Sequence, residues 1–319
     1  MRSTASSNAL SGSARIATGP GSPGSSARPS GRERLGDLPI ALTFLAPAIV
    51  AAVLLRLWPT WRALWDGLHS TPLGVEPTHW VGLAQFRSLF ADPTFINSLK
   101  VTALFGIIVN PLQIAVALGI AVLFNERIRG VGLMRTIVFL PVAIPASVSA
   151  VVWSVALRPE GPLNGVLSWF GIGGLGWLTS PTQALPSIVL IVSWIGVGYW
   201  MMFLVAGLKE IDPALYEAAT VDGAGRWARF RFVTIPQLRR QLAFVLVADT
   251  VSNLLVFAPV QILTQGGPNG RTNLIMNDVY ERAYTSGDIG AAGAETVILA
   301  LVTLLIVILQ FKLLAADKD

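Results

Sequence analysis

Asp249, Ser252 and Asn253 stand at positions i, i+3 and i+4 of an otherwise apolar run, so on a helix they form one polar stripe. A carboxylate, a hydroxyl and an amide in that setting bind solutes or neighbouring helices by hydrogen bonds. Other runs add the same kind of group: Asn110 and Gln113, then Ser147 and Ser149, then Trp194, Tyr199 and Trp200. Hydrogen-bonding side chains beside flat aromatic faces suit polyhydroxylated solutes such as sugars. For Asp249 and Asn253 an interhelical bonding role is an equal alternative, and for the other residues it is the simpler one. Catalysis has little to work with. The chain has no cysteine, and its two histidines, His69 and His79, share one loop and read as solvated surface rather than as metal ligands.

The elements that must hold these groups are membrane spans. Of the 319 residues 53% are hydrophobic and 13% charged, with a mean hydropathy of +0.63, which leaves too little polar surface to coat a soluble globule. Six apolar runs match a hydrocarbon core about 30 Å thick: about 38–58, 101–124, 136–157, 185–204, 242–263 and 291–314. Backbone groups in lipid must be satisfied within each segment, so the fold class is an all-α integral membrane protein with six transmembrane helices. Asp249 then lies mid-span and must face the bundle interior. Glu295, near the start of the last span, reads as a helix N-terminal acid.

With the N-terminus inside, 16 of the 23 Lys and Arg fall on the inner side, which predicts both termini in the cytoplasm. Trp58, Trp61, Trp65, Trp153 and Trp177 fall at or beyond outward span ends, as an interfacial belt would. The basic residues are dispersed between apolar runs, which argues against nucleic acid as a partner. Residues 1–37, rich in Ser, Gly, Pro and Arg, read as a disordered cytoplasmic tail ahead of the membrane-spanning body at 38–319. No GxxxxGK[ST] phosphate loop occurs, so the chain itself has no such ATP site.

The inner loop between spans four and five carries explicit punctuation. Asp212 and Pro213 read as N-cap and first residue of a short helix. Gly223 and Gly225 stop it and allow a turn. A second short helix from Arg226 to about Val233 sets Trp227, Phe230 and Val233 on one stripe, and Pro236 is expected to end it. On the outer side, Asp92 and Pro93 are placed to cap the approach to span two, Gly266, Gly267 and Pro268 force a turn after span five, and Pro259 breaks that span near its end.

Glu217, Ala218, Ala219 and Gly223, then Val233, Ile235 and Pro236, resemble the EAA motif of ABC transporter permeases of the binding-protein-dependent import type, with the last three standing for its Ile-x-Leu-Pro. Val205 to Leu208 (VAGL), Val221 to Ala224 (VDGA), Phe139 to Pro141 (FLP) and Leu263 to Pro268 (LTQGGP) are similar to the carbohydrate-importer branch. The resemblance runs from the first span to the end.

It implies a permease subunit forming half of the pathway for a sugar or oligosaccharide, in the cytoplasmic membrane of a prokaryote. A polyol or glycerol-phosphate-type solute is the alternative, and a secondary carrier a more distant one. The implied partners are a second, homologous permease, two cytoplasmic ATPase subunits that use ATP and Mg, an extracytoplasmic solute-binding protein, and membrane lipid. The chain itself would then be no enzyme and bind no cofactor. The loop would be the coupling element that docks on an ATPase, through Glu217, Ala218, Ala219, Asp222, Gly223, Arg226, Trp227, Phe230 and Pro236. Many sugar permeases carry polar residues where this chain has Leu255 and Ala258, around Val256 and Phe257, so sugar identity does not carry over.

Overall fold

A computed structural model describes residues 38–70, 78–126 and 129–315. The expected tail, 1–37, lies outside the described residues. Of the described residues, 38–55, which contain helix α1 (Leu38–Ala52), fall in one compact unit and those from Arg56 onward in the other.

The second unit is almost entirely helical. Helix α2 (Trp58–Gly67) leads to a two-residue antiparallel pairing of β1 (His69–Ser70) with β2 (His79–Trp80). Then come α3 (Ala84–Ala91) and the long α4 (Pro93–Asn125), which begins where Asp92 and Pro93 predict: the Asp92 carboxylate accepts from the Thr94 amide at 2.8 Å. Helices α5 (Val131–Phe139) and α6 (Ala146–Ala156) form a bent pair, α7 (Pro162–Trp169) lies in the following loop, and α8 (Ala184–Glu210) is the next long helix. The inner loop holds α9 (Pro213–Val221), α10 (Arg226–Arg229) and α11 (Ile235–Gln237). Helices α12 (Arg239–Leu254), α13 (Ala258–Leu263), α14 (Ile275–Tyr280) and α15 (Ile289–Ala315) complete the chain.

Among the described residues, four helices are long and apolar enough to cross a membrane: Thr43–Gly67, Pro93–Asn125, Ala184–Glu210 and Ile289–Leu313. A fifth crossing is available if Val131–Ala143 and Ala146–Ala156, bent by 98°, make one span. The six uniform runs expected from hydropathy are therefore not six uniform helices. Pro141 and Pro145 flank the bend in the third run, and each removes a backbone donor. The fifth run is interrupted at 255–257, upstream of Pro259, which sits buried in the first turn of α13 and begins that helix rather than breaking one.

Packing is arranged around the α4–α8 contact, the most extensive among the described helices. One cluster joins Ala117, Ala121 and Phe124 of α4 to Met201, Leu204 and Leu208 of α8, with Leu238 and Val245 from the α12 side. A second joins Val101, Phe105 and Val109 to Ile188, Val189 and Val260. A third seats Leu89, Phe95 and Ile275 against Ala294 and Ile298 of α15. Helix α15 also meets α2 at near backbone distance: a Cβ on Gly67 would lie 2.8 Å from the Ala294 amide nitrogen, and one on Gly293 2.7 Å from the Ala63 carbonyl. Between membrane helices, where lipid is as apolar as leucine, such small residues let dispersion and weak hydrogen bonds hold the pair.

Two sequence readings change with this packing. His69 is buried, its Nδ1 2.7 Å from the Trp65 carbonyl and its ring stacked on Trp65, whereas His79 is exposed as expected. Glu295 is fully buried and is no simple helix-terminal acid, since α15 starts six residues earlier and Arg282 Nε lies 3.0 Å from its carboxylate. Arg282 also bonds Asp278 at 3.1 Å and Asp92 at 2.5 Å, joining the start of α4, the α14 region and α15. Burial alone would raise the Asp92 pKa, but hydrogen bonds from Arg282 and the Thr94 amide outweigh it and hold the group below its ordinary value. Burial likewise disfavours charged Arg282, and its carboxylates overcome that and raise its pKa.

Candidate functional site: an inner elbow and a polar cleft

The inner loop folds as a two-limbed elbow. The Asp212 carboxylate accepts from the Ala214 amide at 2.9 Å, with Pro213 at the first helical position, so α9 starts as its sequence predicts. At its other end the Ala224 amide donates to the Ala219 carbonyl at 2.9 Å and the Gly223 amide to the Thr220 carbonyl at 3.1 Å. This is a Schellman cap, and it needs the left-handed φ of +78° that Gly223 supplies. Gly225 is different: its φ of −66° and ψ of 171° suit any residue, so it caps α10 without being required by the backbone.

Beyond Gly225 the helical path is longer than expected. α10 continues through a π-turn at Phe230–Thr234 into α11, with Pro236 inside the run instead of ending it. A proline cannot donate to the carbonyl four residues back and crowds it, and the widened turn relieves that clash. Two side-chain bonds pin the limbs together: Arg229 Nη1 donates to Thr220 Oγ1 at 3.1 Å, and the Tyr216 and Thr234 hydroxyls pair at 3.0 Å.

The elbow exposes apolar side chains that no other described residue covers: Val221 is 87% exposed, Trp227 74% and Phe232 76%. The Trp227 and Phe230 rings pack 5.4 Å apart on one stripe, as their spacing predicts. Glu217, Ala218, Asp222, Arg226 and Pro236 are exposed around them, with Ala219 half-buried. Exposed apolar area rimmed by charge marks an interaction surface.

The expected pathway residues divide. Asp249 is 1% exposed; its Oδ1 accepts from Trp200 Nε1 at 2.6 Å and from Asn253 Nδ2 at 3.0 Å, while Oδ2 has no hydrogen-bond partner. Asn253 Nδ2 also reaches Asn110 Oδ1 at 2.8 Å, and Asn110 Nδ2 donates to Thr250 Oγ1 at 3.1 Å. The structure therefore brings Asp249, Asn253, Asn110 and Trp200 into one network between α4, α8 and α12. Beside it opens a cleft of about 490 Å³, lined by Asp249, Ser252, Asn253, Gln113, Tyr199 and Trp200 among others. Trp194 is not among the lining residues: it packs edge-on against Trp153 at 5.5 Å. Trp177, whose Nε1 donates to Asn164 Oδ1 at 2.9 Å, braces the loop that holds α7.

Thr250, Ser193 and Gln310 were not singled out from sequence, yet all belong to the network. Gln113 Nε2 donates to Ser193 Oγ at 3.4 Å, and Gln310 Nε2 to Thr250 Oγ1 at 2.9 Å. The available signal was that each is a polar residue inside an apolar run, as Asn110 is.

Long apolar helices packed through buried amides, with a jointed polar elbow between two of them, define a multi-pass membrane permease. The comparisons agree: a family model for the binding-protein-dependent transport system inner membrane component matches residues 80–316, and the chain belongs to that family. It is 30% identical over 276 residues to the trehalose/maltose transport system permease protein MalF of Thermococcus litoralis, covering 86% of this chain and 93% of that one. It is also 30% identical over 273 residues to the sn-glycerol-3-phosphate transport system permease protein UgpA of Agrobacterium fabrum, covering 84% and 92%. With the lactose transport system permease protein LacF of Rhizobium radiobacter the identity is 33% over 246 residues, covering 76% and 82%. Among solved structures, a chain of a bacterial ABC transporter involved in the import of the acidic polysaccharide alginate shares the fold, with a TM-score of 0.76 at 24% identity over 90% of this chain and 99% of that one.

Proposed function

We propose that this chain is one of two homologous permease subunits of an ATP-driven importer, forming half of the path for a sugar or oligosaccharide handed over by an extracytoplasmic binding protein. Both termini are cytoplasmic in this reading, and the elbow faces the cytoplasm. The observation that carries it is the elbow, a capped and cross-pinned knob whose apolar residues are exposed. Such a body transmits a push. Closure of two partner ATPase subunits, which hold ATP and Mg, would move the elbow as a unit and rock the helices that continue from it, α8 and α12, between inward and outward states.

Sugar is the preferred solute class because the cleft sets the Tyr199 and Trp200 rings beside Asp249 and Asn253. Relatives named for trehalose, maltose and lactose transport support it, and one named for sn-glycerol-3-phosphate keeps a polyol or glycerol phosphate as the second reading. The test is Gly223→Asp with co-purification of the ATPase as the readout. Retained insertion with lost ATPase supports the coupling role, and normal recovery of the ATPase rejects it.

A further inference from the structure

We propose that Asp249 makes the membrane cleft charge-selective, admitting neutral polyhydroxylated solutes and excluding oxyanions such as phosphate esters and uronates. The inference rests on the cleft being part of the solute path.

Three observations carry it. The lining residues include no Lys, Arg or His, and Asp249 is the one formal charge among them. The donors that bond its carboxylate, Trp200 and Asn253, are neutral. Asp249 Oδ1 is occupied by Trp200 and Asn253, while Oδ2 is buried with no hydrogen-bond partner. Several neighbouring donors are engaged within the chain: Gln113 Nε2 donates to Ser193, Asn253 Nδ2 to Asp249 and Asn110, and the Ser252 hydroxyl to the Ala248 carbonyl at 2.9 Å. Asp249 therefore repels a phosphate or carboxylate oxyanion in the cleft, whereas a neutral hydroxyl-bearing solute meets no such repulsion. Finally, the apolar walls, among them Val192, Ile195 and Val256, concentrate the field of a single charge.

A second cleft has the opposite sign. A cleft of about 610 Å³ between the 154–159, 176–179 and 262–268 segments has Arg158 as its only charged lining residue. It provides an internal control.

The absence of cysteine makes the field measurable without knowing the substrate. Ser252→Cys is introduced in the full chain in its native membranes, and its modification rate is compared for trimethylammonium-ethyl, sulfonatoethyl and neutral hydroxyethyl methanethiosulfonates, each normalised to a free thiol. The expected result is a cation-to-anion rate ratio of about tenfold or more that falls to near one when Asp249→Asn is added. Thr179→Cys, beside Arg158 with Asp249 intact, is expected to prefer the anionic reagent, and this contrast stands even if the Asn variant fails to insert. A ratio near one at 252, a ratio unchanged by Asp249→Asn, or the same cation preference at both positions would overturn the proposal, as would a thiol at 252 inert to all three reagents. No partner enters the assay, so its failure leaves the permease assignment intact, and failure of ATPase recovery leaves the thiol result intact.

Discussion

At the scale of single residues, two positions turn on one geometric fact each. Gly223 has a left-handed φ and open space around the position of a Cβ. A side chain there clashes with nothing in this chain, and aspartate tolerates the left-handed region better than most residues. Its effect therefore falls on whatever docks against the elbow. Gly223→Asp is expected to leave membrane insertion unchanged and to cut ATPase recovery in a pull-down by about tenfold or more, the scale of an interface hot spot. Gly225→Ala, at ordinary dihedrals, should leave recovery unchanged. Trp200→Phe removes a donor from buried Asp249 and should lower stability by about 1–3 kcal/mol, read as a lower midpoint in thermal unfolding of the detergent-solubilised chain. An unchanged midpoint would place Asp249 in contact with water. The roles of Gly223 and Asp212 were legible because capping is local. Those of His69 and Glu295 were not, because their partners are set by contacts between elements.

Between elements, the Arg282 network and the α2–α15 contact make the firmest predictions. Arg282→Ala leaves Asp92, Asp278 and Glu295 without their shared cation, and removing one partner of a buried pair costs about 3–5 kcal/mol. The thermal midpoint should fall sharply, and a wild-type midpoint in Arg282→Ala would show that the network does not hold α4 to α15. The pair also has a defined pH window. The Asp92 pKa is lowered by folding, so its contribution is fully present above about 3.9, the unfolded value, and is lost only as pH falls through the lower folded value. Stability from this pair should be flat between pH 5 and 8. Gly67→Leu should separate α2 from α15 and weaken the fold more than Gly82→Ala, a positive-φ loop change away from any helix contact. Helix type and approximate extent were readable from hydropathy. The bend at 144–145, the break at 255–257 and the π-turn before Pro236 were not, because a hydropathy window averages over a proline and cannot show whether it starts, bends or ends a helix.

Across the whole molecule, the sequence motif and the structure meet at the elbow. Of the motif positions, Ala219 and Gly223 form the cap that ends α9, Val233, Ile235 and Pro236 lie in the helical path beyond it, and Val221, Trp227 and Phe232 stand exposed beside them. The polar network was half legible: Asp249, Asn253, Asn110 and Trp200 stood out, while Thr250, Ser193 and Gln310 joined only once three helices were packed together. The most direct test of the central claim is a pull-down of the tagged chain from its native membranes, with the recovered proteins identified by mass spectrometry. The account predicts a second permease carrying the same loop motif, a cytoplasmic ATPase and an extracytoplasmic binding protein. Recovery of this chain alone, in detergent that keeps other multisubunit transporters whole, would contradict it.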